Sequence, residues 1–393
     1  MKTIRLLLIL ILSSWGYDSS CADTDEMPII AFYGLPSNAT SDDFRIFSEC
    51  GFNVTHRWHD SLEQLVRSCR LGQQYGVRVI AHCPQVSNAP AKAAATLRGE
   101  PGFFGYFIAD EPTLPQIRQS QQLIEQLRPI DDSHCFYINL FPYYYPDKLM
   151  EMLKTNSYTS YLQAASATSC RQLSFDFYPV LNDSIRHTWY HNLEMVRAES
   201  LSSGKPFWGF VCSVPHADYP MPTLASLRLQ VYSNLAYGAQ AIQYYTYWTP
   251  DDGQGFHYHD APISRNGKKT KTYAVVQQMN RELKTVARLF YGAKVVSVHH
   301  LGTIAEGTTR LSTVPVNLRM LKVVGRQGAV VSQFEKSGHR YLAIVNKSHE
   351  EPLTIRIRPG NGTPRHITKK LQTEAMKTSY RVEPGDLLLF RLY

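Results

Sequence analysis

Eight apolar runs, each followed by an amphipathic stretch, are the feature of this sequence that most restricts its fold. The runs cover residues 29–35, 52–58, 77–83, 105–110, 135–141, 173–180, 207–214 and 241–248. Continuous apolar runs are typical of parallel strands that helices cover on both faces. Ser61, Thr113 and Thr223 precede amphipathic segments and are good helix caps. Eight such alternations over about 250 residues predict an α/β fold of the (β/α)8 TIM barrel type.

A doubly wound parallel sheet is the rival fold with the same alternation. That fold usually carries a glycine-rich phosphate turn directly after its first strand. The first turn here reads Tyr33-Gly34-Leu35-Pro36 and contains no such motif. We therefore favour the barrel and assign it residues 22–291, with an eighth helix at about 272–291.

The pattern changes after the eighth predicted helix. Short runs alternate apolar and polar residues at 318–323, 329–334, 341–345, 353–357 and 387–392, with turn residues between them. This pattern predicts a small antiparallel β-sandwich domain at residues 292–393. We expect the sandwich to pack against the barrel, and a weak glycan contact is the alternative.

The N-terminus reads as a secretory signal over residues 1–21. Lys2 and Arg5 precede an apolar run at 6–12, which is too short to span a bilayer. In one interpretation Cys21 becomes the lipidated first residue of an outer-membrane lipoprotein at the cell surface. In the other, cleavage follows Ala22 and the protein is periplasmic or freely secreted. We favour lipidation, so the expected membrane contact is a lipid on Cys21 alone.

The composition limits the classes of partner that this protein is expected to bind. Lys and Arg number 41 against 33 Asp and Glu, a formal net charge of +8, but no nucleic-acid motif accompanies it. The cysteines after Cys21 show no CxxC metal spacing, and one or two disulfides could form between undetermined partners. They are Cys50, Cys69, Cys83, Cys135, Cys170 and Cys212. We expect no cofactor, no metal and a monomer.

The carboxyl ends of the predicted strands are rich in aromatic and polar side chains. In a barrel these ends gather ligand groups at one mouth. Sugars present C–H faces that stack on aromatic rings and hydroxyls that bond to polar groups. The predicted substrate contacts are Tyr33, His56, Trp58, His82, Asn139, Tyr178, Trp208, His216, Tyr245, Tyr247 and Trp248. A metal site at His56, His59 and His82 is disfavoured, because His56 and His59 would face opposite sides of a regular strand.

Asp110-Glu111-Pro112, at the end of the fourth run, is the sharpest local signal. Burial in a barrel mouth raises a carboxyl pKa towards the value that a general acid needs. Cleavage of a glycosidic bond requires two carboxyl groups, one to donate a proton and one to act as nucleophile or base. We predict Glu111 as a catalytic residue, while Asp110 either shares that role or holds a substrate hydroxyl.

With Ala109-Asp110-Glu111-Pro112, the run at 176–179 and the run at 241–248, the chain resembles the clan A glycoside hydrolases of surface glycan-degrading systems. The resemblance implies a barrel with a C-terminal sandwich, an oligo- or polysaccharide substrate, and Glu111 as the acid/base residue. Asp110 stands where the clan has an asparagine that contacts the sugar.

The seventh run, Phe207 to Val214, departs from that clan because it lacks the glutamate that serves as nucleophile. Asp176 is the better second carboxylate, since strand alternation places it on one face with Tyr178. Its role as nucleophile or base stays open against a role in substrate binding. Two other functions also stay open: a glycan-binding barrel without catalysis, and a structural partner in an outer-membrane complex.

Overall fold

The computed structural model describes residues 26–253, 255–362 and 364–393. The predicted signal segment, including Cys21, lies outside the described residues. None of the described helices has the length and hydropathy needed to cross a membrane. Cys50, Cys69, Cys83, Cys135, Cys170 and Cys212 are all buried free thiols.

Eight parallel strands form the first sheet, in the spatial order β5-β4-β3-β2-β1-β8-β7-β6. The strands are β1 Ile29–Phe32, β2 Val54–His56, β3 Arg78–Ala81, β4 Phe103–Asp110, β5 Cys135–Asn139, β6 Leu173–Phe175, β7 Phe207–Cys212 and β8 Ala241–Tyr245. The two end strands meet through a parallel bridge between Leu140 and Phe175. The amide of Leu140 donates to the carbonyl of Ser174 at 2.8 Å. The sheet therefore closes on itself, and the predicted TIM barrel is confirmed.

Ten helices surround or flank the barrel in the described residues. They are α1 Ser41–Glu49, α2 Leu62–Gln74, α3 Pro84–Asn88, α4 Pro90–Leu97, α5 Leu114–Leu127, α6 Pro146–Leu153, α7 Tyr158–Ser166, α8 Trp189–Ser203, α9 Leu224–Tyr237 and α10 Lys271–Phe290. Ser61, Thr113 and Thr223 are the N-cap residues of α2, α5 and α9, as the sequence predicts. These side chains bind amides of the first turn that would otherwise lack partners.

The observed strands are mostly shorter than the apolar runs, and the difference lies mainly at their carboxyl ends. The run at 173–180, for example, contains a strand of only three residues, Leu173–Phe175. Residues beyond it, including Asp176 and Tyr178, leave the ladder and turn into the barrel mouth. The extra length of the apolar runs therefore belongs to the walls of the site rather than to the sheet.

The remaining strands form two antiparallel sheets, which confirms the predicted C-terminal sandwich. They are β9 Lys294–Gly302, β10 Leu318–Val324, β11 Gly328–Lys336, β12 His339–Asn346, β13 Leu353–Pro359, β14 Arg365–Ile367, β15 Thr373–Ala375, β16 Ser379–Val382 and β17 Leu387–Leu392. Three strands, in the order β10-β13-β16, form one sheet, and β15-β14-β17-β12-β11-β9 form the other. Leu342, Ile355 and Phe390 belong to the core between them.

The sandwich is fixed to the barrel by a close backbone contact and by a cluster of charges. A Cβ atom on Gly385, in the loop before β17, would lie 2.1 Å from the carbonyl oxygen of Ala225 in α9. Nearby, Arg228 of α9 pairs with Glu282 of α10, and Lys369 lies 3.1 Å from Glu282 and 2.7 Å from Asp386. The loop and the helix can approach this closely only because Gly385 has no side chain.

We expect Gly385→Ala to lower the free energy of unfolding by about 3 kcal/mol, from a steric clash and from strain at positive φ. Gly338→Ala is the matched control, since its φ is +74° and an added Cβ would meet no atom within 4 Å. That control isolates strain and should lose only about 1 kcal/mol. Urea unfolding of both variants measures the difference. Equal losses would mean that the contact with α9 does not stabilise the protein.

Candidate active site

The end of β4 brings Asp110 and Glu111 to the mouth of the barrel. The register of β4 against β5 shifts between Phe107 and Ala109, a bulge that lets Asp110 pair with Asn139. Glu111 has a φ of +43°, and its amide donates to the carbonyl of Asn139 at 2.8 Å. Non-glycine residues are strained at positive φ, and such strain concentrates at functional sites. Bulge, strain and Pro112 together fix where the Glu111 carboxyl lies.

Asp176 enters the same mouth from the residue after β6. Its carboxyl group interacts directly with that of Glu111. Its Oδ2 accepts a hydrogen bond from the Tyr178 hydroxyl at 3.3 Å, whereas its buried Oδ1 finds no N–H or O–H donor among the described residues. The Tyr144 hydroxyl holds this turn, since it accepts from the Tyr178 amide at 2.6 Å. Two carboxyl groups in contact are compatible only if they share a proton.

A buried polar network lies beneath the three acids and positions Asn139. Asn139 Nδ2 donates to Asp110 at 3.0 Å, and its Oδ1 accepts from the Ser174 hydroxyl at 3.1 Å. Gln243 Nε2 donates to Ser174 at 2.8 Å, and Gln243 Oε1 accepts from the Tyr137 hydroxyl at 2.7 Å. β4, β6 and β8 thus contribute one polar side chain each inside the barrel, and β5 contributes two. Because Asn139 also interacts with Asp176, it orients both aspartates.

Loss of solvent around the carboxyl groups raises the pKa of each of the three acids, although Asp110 and Glu111 keep exposed surface at the mouth, and charge repulsion adds to the shifts of Glu111 and Asp176. Burial, followed by the charge of Asp110, raises the pKa of Glu111 to about 7. Burial, followed by the charges of Glu111 and Asp110, holds the pKa of Asp176 well above its usual range. Among the described residues, none of the three forms an ion pair with Lys or Arg. The pair of Glu111 and Asp176 therefore retains a proton at a pH where ordinary carboxyl groups are ionised.

Tyrosines form the wall of the mouth beside Asp176. Tyr178 and Tyr245 stack with ring centroids 5.3 Å apart, and the Tyr245 hydroxyl lies 3.0 Å from that of Tyr258. His216 packs against Tyr258 at 4.8 Å. The structure thus brings together three of the predicted contacts, Tyr178, His216 and Tyr245. Tyr258 was missed, because it lies in a loop without periodicity.

Arg186 is a second residue of this wall that the sequence analysis missed. Its guanidinium lies 4.6 Å from the ring centre of Tyr144 and donates to the Tyr219 hydroxyl at 3.2 Å. Arg186 lies between β6 and α8, where no repeating pattern marks it. Its charge is separated from Asp176 by Tyr144, so it stiffens the turn that carries Asp176 rather than neutralising the carboxylate.

A cavity of about 880 Å³ opens on the other side of Asp110. It is lined by the residues that follow β1 to β4, among them Tyr33, His56, Trp58 and His82. Trp58 is 47% exposed, and its indole meets the His82 ring edge to face at 4.8 Å. This volume is that of a small-molecule binding pocket. Four of the predicted substrate contacts therefore line one cavity that reaches the acidic mouth at Asp110.

His56 and His82 stack with ring centroids 5.3 Å apart in this cavity. His56 is 3% exposed, and neither ring nitrogen has a hydrogen-bond partner among the described residues. Burial lowers the pKa of His56 far below its usual range and that of His82 to about 4. Both imidazoles are neutral at pH 7 and present one donor and one acceptor each. His59 lies elsewhere, with its Nε2 bonded to Ser68 at 3.0 Å.

Burial shows that the prediction was wrong for two of the expected substrate contacts, Tyr247 and Trp208. Tyr247 is 1% exposed and packs against Phe47 and Phe52 on the helix side of the sheet. Trp208 is 4% exposed and lies inside the barrel with Phe104 and Tyr137. Both residues belong to the hydrophobic core and offer no surface to a ligand. Trp248, by contrast, is half-buried, and its amide donates to the Tyr33 carbonyl.

β7 ends without an acid. Its last residue is Cys212, which is buried, and burial raises the pKa of its thiol to about 12. Asp218, in the following loop, is exposed. No carboxyl group of the described residues therefore stands at the end of β7, and Asp176 remains the acid in contact with Glu111.

Comparison with known proteins adds a family match over part of the chain. Residues 120–286 match the family model described as glycoside hydrolase family 42, β-galactosidase. The matched segment runs from within α5 to within α10 and includes Asp176, but not Glu111. No curated protein matches the sequence.

Solved structures with the same fold cover nearly the whole chain. A β-galactosidase from Bacillus circulans sp. alkalophilus aligns at TM-score 0.62 with 10% identity, over 94% of this chain and 99% of its own. A catalytic mutant of a family 42 β-galactosidase from G. stearothermophilus aligns at TM-score 0.60 with 8% identity, over 93% and 98%. A family 5 glycoside hydrolase from Bacteroides vulgatus aligns at 0.59 with 11% identity, over 93% and 89%. At these identities the structures show a shared fold.

Proposed function

Given that the family match and the barrel support a glycoside hydrolase, we propose that this protein hydrolyses a glycosidic bond with Glu111 and Asp176. The observation that carries the proposal is the direct contact between these two carboxyl groups at the barrel mouth. Glu111 is the general acid, because it directly follows β4 at the rim of the mouth and the coupled pair that it forms with Asp176 retains one proton near neutral pH. Asp176 is the nucleophile, and Tyr178 holds its Oδ2.

Contact between the carboxyl groups favours a retaining mechanism. Inverting enzymes hold a water between acids about 6.5–9.5 Å apart, whereas retaining enzymes place them about 5–5.5 Å apart. Glu111 protonates the departing oxygen while Asp176 attacks the anomeric carbon and forms a glycosyl ester. The ionised Glu111 then takes a proton from water, which attacks that carbon and releases Asp176 as a carboxylate.

The substrate is an oligo- or polysaccharide with a sugar ring in the mouth. Tyr178, Tyr245 and Trp58 offer ring faces, while His82 and Asp110 offer hydrogen bonds. The cavity beside Asp110 gives room for sugar units beyond the cleaved bond. The description of the matched family model makes β-galactosides the first substrates to examine.

A panel of aryl glycosides, starting with β-D-galactosides, tests this function. We expect one or more to be hydrolysed above the buffer rate, with retention at the anomeric carbon by proton NMR. The double variant Glu111→Gln/Asp176→Asn is the control for contaminating enzymes. Inversion would refute Asp176 as nucleophile.

A glycan-binding barrel without catalysis is the second candidate, and the absence of an acid at the end of β7 favours it. Calorimetry with oligosaccharides distinguishes the two functions. Tight binding with no product after prolonged incubation would establish this second function and refute the first.

Export to the cell surface through a lipid on Cys21 completes the proposed function. Labelling with a palmitate analogue in cells, with Cys21→Ala as control, tests it. Cleavage after Ala22 would instead give an unlabelled protein whose N-terminus is Asp23.

The pH dependence of kcat/KM is expected to be bell-shaped, because one proton must be present on the acidic pair. Activity should fall at high pH as the pair of Glu111 and Asp176 loses its one proton, and at low pH as the pair gains a second proton. Asp110→Asn removes a charge that raises the pKa of Glu111, so the alkaline limb should move to lower pH. Asp60→Asn, at the exposed cavity rim, should leave it in place. An unmoved limb in Asp110→Asn would contradict the assignment of the acid.

A further inference from the structure

The positive charge of this chain is concentrated in the sandwich. Residues 292–393 contain sixteen Lys and Arg against seven Asp and Glu, a net charge of +9. Residues 1–291 contain 25 against 26, a net charge of −1. Such asymmetry between two parts of one chain indicates an electrostatic partner for the charged part.

Four of these sixteen cations stand on the outer face of the sheet β10-β13-β16. Lys322 lies directly opposite Arg356, and Arg358 is opposite Met320. Arg381 of β16 is opposite Thr354. The alternate residues of these strands, such as Leu321, Ile355 and Tyr380, are buried against the other sheet. The cations therefore share one solvent-facing surface, which we call the cationic face: Met320, Lys322, Thr354, Arg356, Arg358 and Arg381.

Folding does not account for the charges of the cationic face. Lys322, Arg356 and Arg358 form no ion pair with the described residues, and only Arg381 has a partner, Glu383 at 3.1 Å. Like charges directly opposite each other on neighbouring strands destabilise a sheet. The pair Lys322 and Arg356 therefore lowers stability unless an anion lies across both strands.

We propose that the cationic face binds an anionic polysaccharide, one that carries carboxylate or sulfate groups. The cations are spread over three adjacent strands, so the face fits an extended polymer with repeated charges rather than a single small anion. It carries no aromatic ring on which nucleic-acid bases could stack. The choice of a glycan among polyanions rests on the proposed glycosidase function, whereas the need for an anion rests on the charges alone.

Binding of the full-length protein to fluorescently labelled polymers tests this inference. The probes are polygalacturonate for carboxylates, chondroitin sulfate for sulfates and a neutral galactan, with duplex DNA and phosphatidylglycerol vesicles as other polyanions. Arg356→Ser/Arg358→Ser removes two charges from the cationic face. Lys294→Ser/Arg365→Ser is the matched control, because it removes the same charge from exposed positions of the six-stranded sheet.

We expect wild type to bind at least one anionic polysaccharide and not to bind galactan. The bound polysaccharide should dissociate in about 0.5 M NaCl, because salt screens the charges. The Arg356→Ser/Arg358→Ser variant should bind about tenfold more weakly, and the control variant within about twofold of wild type. Equal losses in both variants, or no binding to either anionic polysaccharide, would overturn the inference. Tighter binding to DNA or vesicles would also overturn it.

Hydrolysis of a small aryl glycoside, measured on the same preparations, separates this inference from the proposed function. Wild-type protein that hydrolyses the aryl glycoside but binds neither anionic polysaccharide would overturn the polysaccharide surface alone. Intact binding without any hydrolysis would overturn the proposed catalysis alone. Thermal unfolding of each variant checks that the exposed substitutions leave the fold intact.

Discussion

The Glu111→Gln variant is expected to cleave a disaccharide substrate about 1,000 times more slowly than wild type. A poor leaving group such as a sugar alkoxide needs a proton as the bond breaks, and the glutamine amide cannot supply it. The dinitrophenolate of a dinitrophenyl glycoside can leave without being protonated. The variant should therefore form the glycosyl ester from this substrate at nearly the wild-type rate. The measurement is kcat/KM for both substrates.

The Asp176→Asn variant is expected to lose activity towards both substrates alike, with kcat/KM falling by at least about 1,000-fold for each. Every leaving group requires the nucleophile, so activation of the substrate cannot compensate. Added azide separates the roles further, because it can replace either the missing nucleophile or the missing base. It should give a glycosyl azide of retained configuration with Glu111→Ala and of inverted configuration with Asp176→Ala. The opposite pattern would exchange the two assignments.

The Glu282→Gln variant is expected to lose about 3 kcal/mol of unfolding free energy. Glu282 bonds to Arg228 and to the Tyr232 hydroxyl, and pairs with Lys369 at 3.1 Å. These side chains are largely buried at the junction between barrel and sandwich, so the substitution leaves Arg228 and Lys369 with Asp386 alone. Denaturant unfolding followed by tryptophan fluorescence measures the loss.

Glu335→Gln is the matched control, because Glu335 pairs with Arg340 on an exposed surface and should lose under about 1 kcal/mol. The pH dependence gives a second criterion. Ion pairs lower the pKa of Glu282 to about 2, against an unfolded value near 4.5. Its contribution is therefore complete above about pH 5 and disappears as the pH falls towards 2. A difference between Glu282→Gln and wild type that does not shrink at low pH would refute the charge explanation.

The barrel and the sandwich were predictable from sequence because both depend on repeated patterns. Eight apolar runs with helices between them, and the caps Ser61, Thr113 and Thr223, express local preferences that the tertiary structure retains. Strand ends were less predictable. The apolar residues after β6 leave the strand pairing of the sheet, because the backbone amide of Tyr178 donates to the Tyr144 hydroxyl instead of to a neighbouring strand.

Residues of the candidate site could be predicted where a strand end carries an unusual side chain. Glu111 and Asp176 met that condition, and their catalytic roles remain predictions. Trp208 lies on β7 and Tyr247 lies two residues after β8, but burial on one or other side of the sheet decides whether each can contact a ligand. A sequence run does not reveal which side faces the helices when both are apolar. Tyr258 and Arg186 come from loops, whose course depends on distant contacts.

The single bridge that closes the cylinder between β5 and β6 has a mechanical consequence for catalysis. Asp110 and Glu111 lie on one side of this seam and Asp176 on the other, so the joint sets the distance between the carboxyl groups of Glu111 and Asp176. These two groups are in contact, and in the proposed reaction a sugar ring would have to separate them. Backbone pairing across this seam is confined to one bridge with the Leu140 amide, while the Gln172 and Ser174 side chains add hydrogen bonds to Phe136 and Asn139. A movement of β5 against β6 at this joint would therefore change how far apart the two carboxyl groups lie.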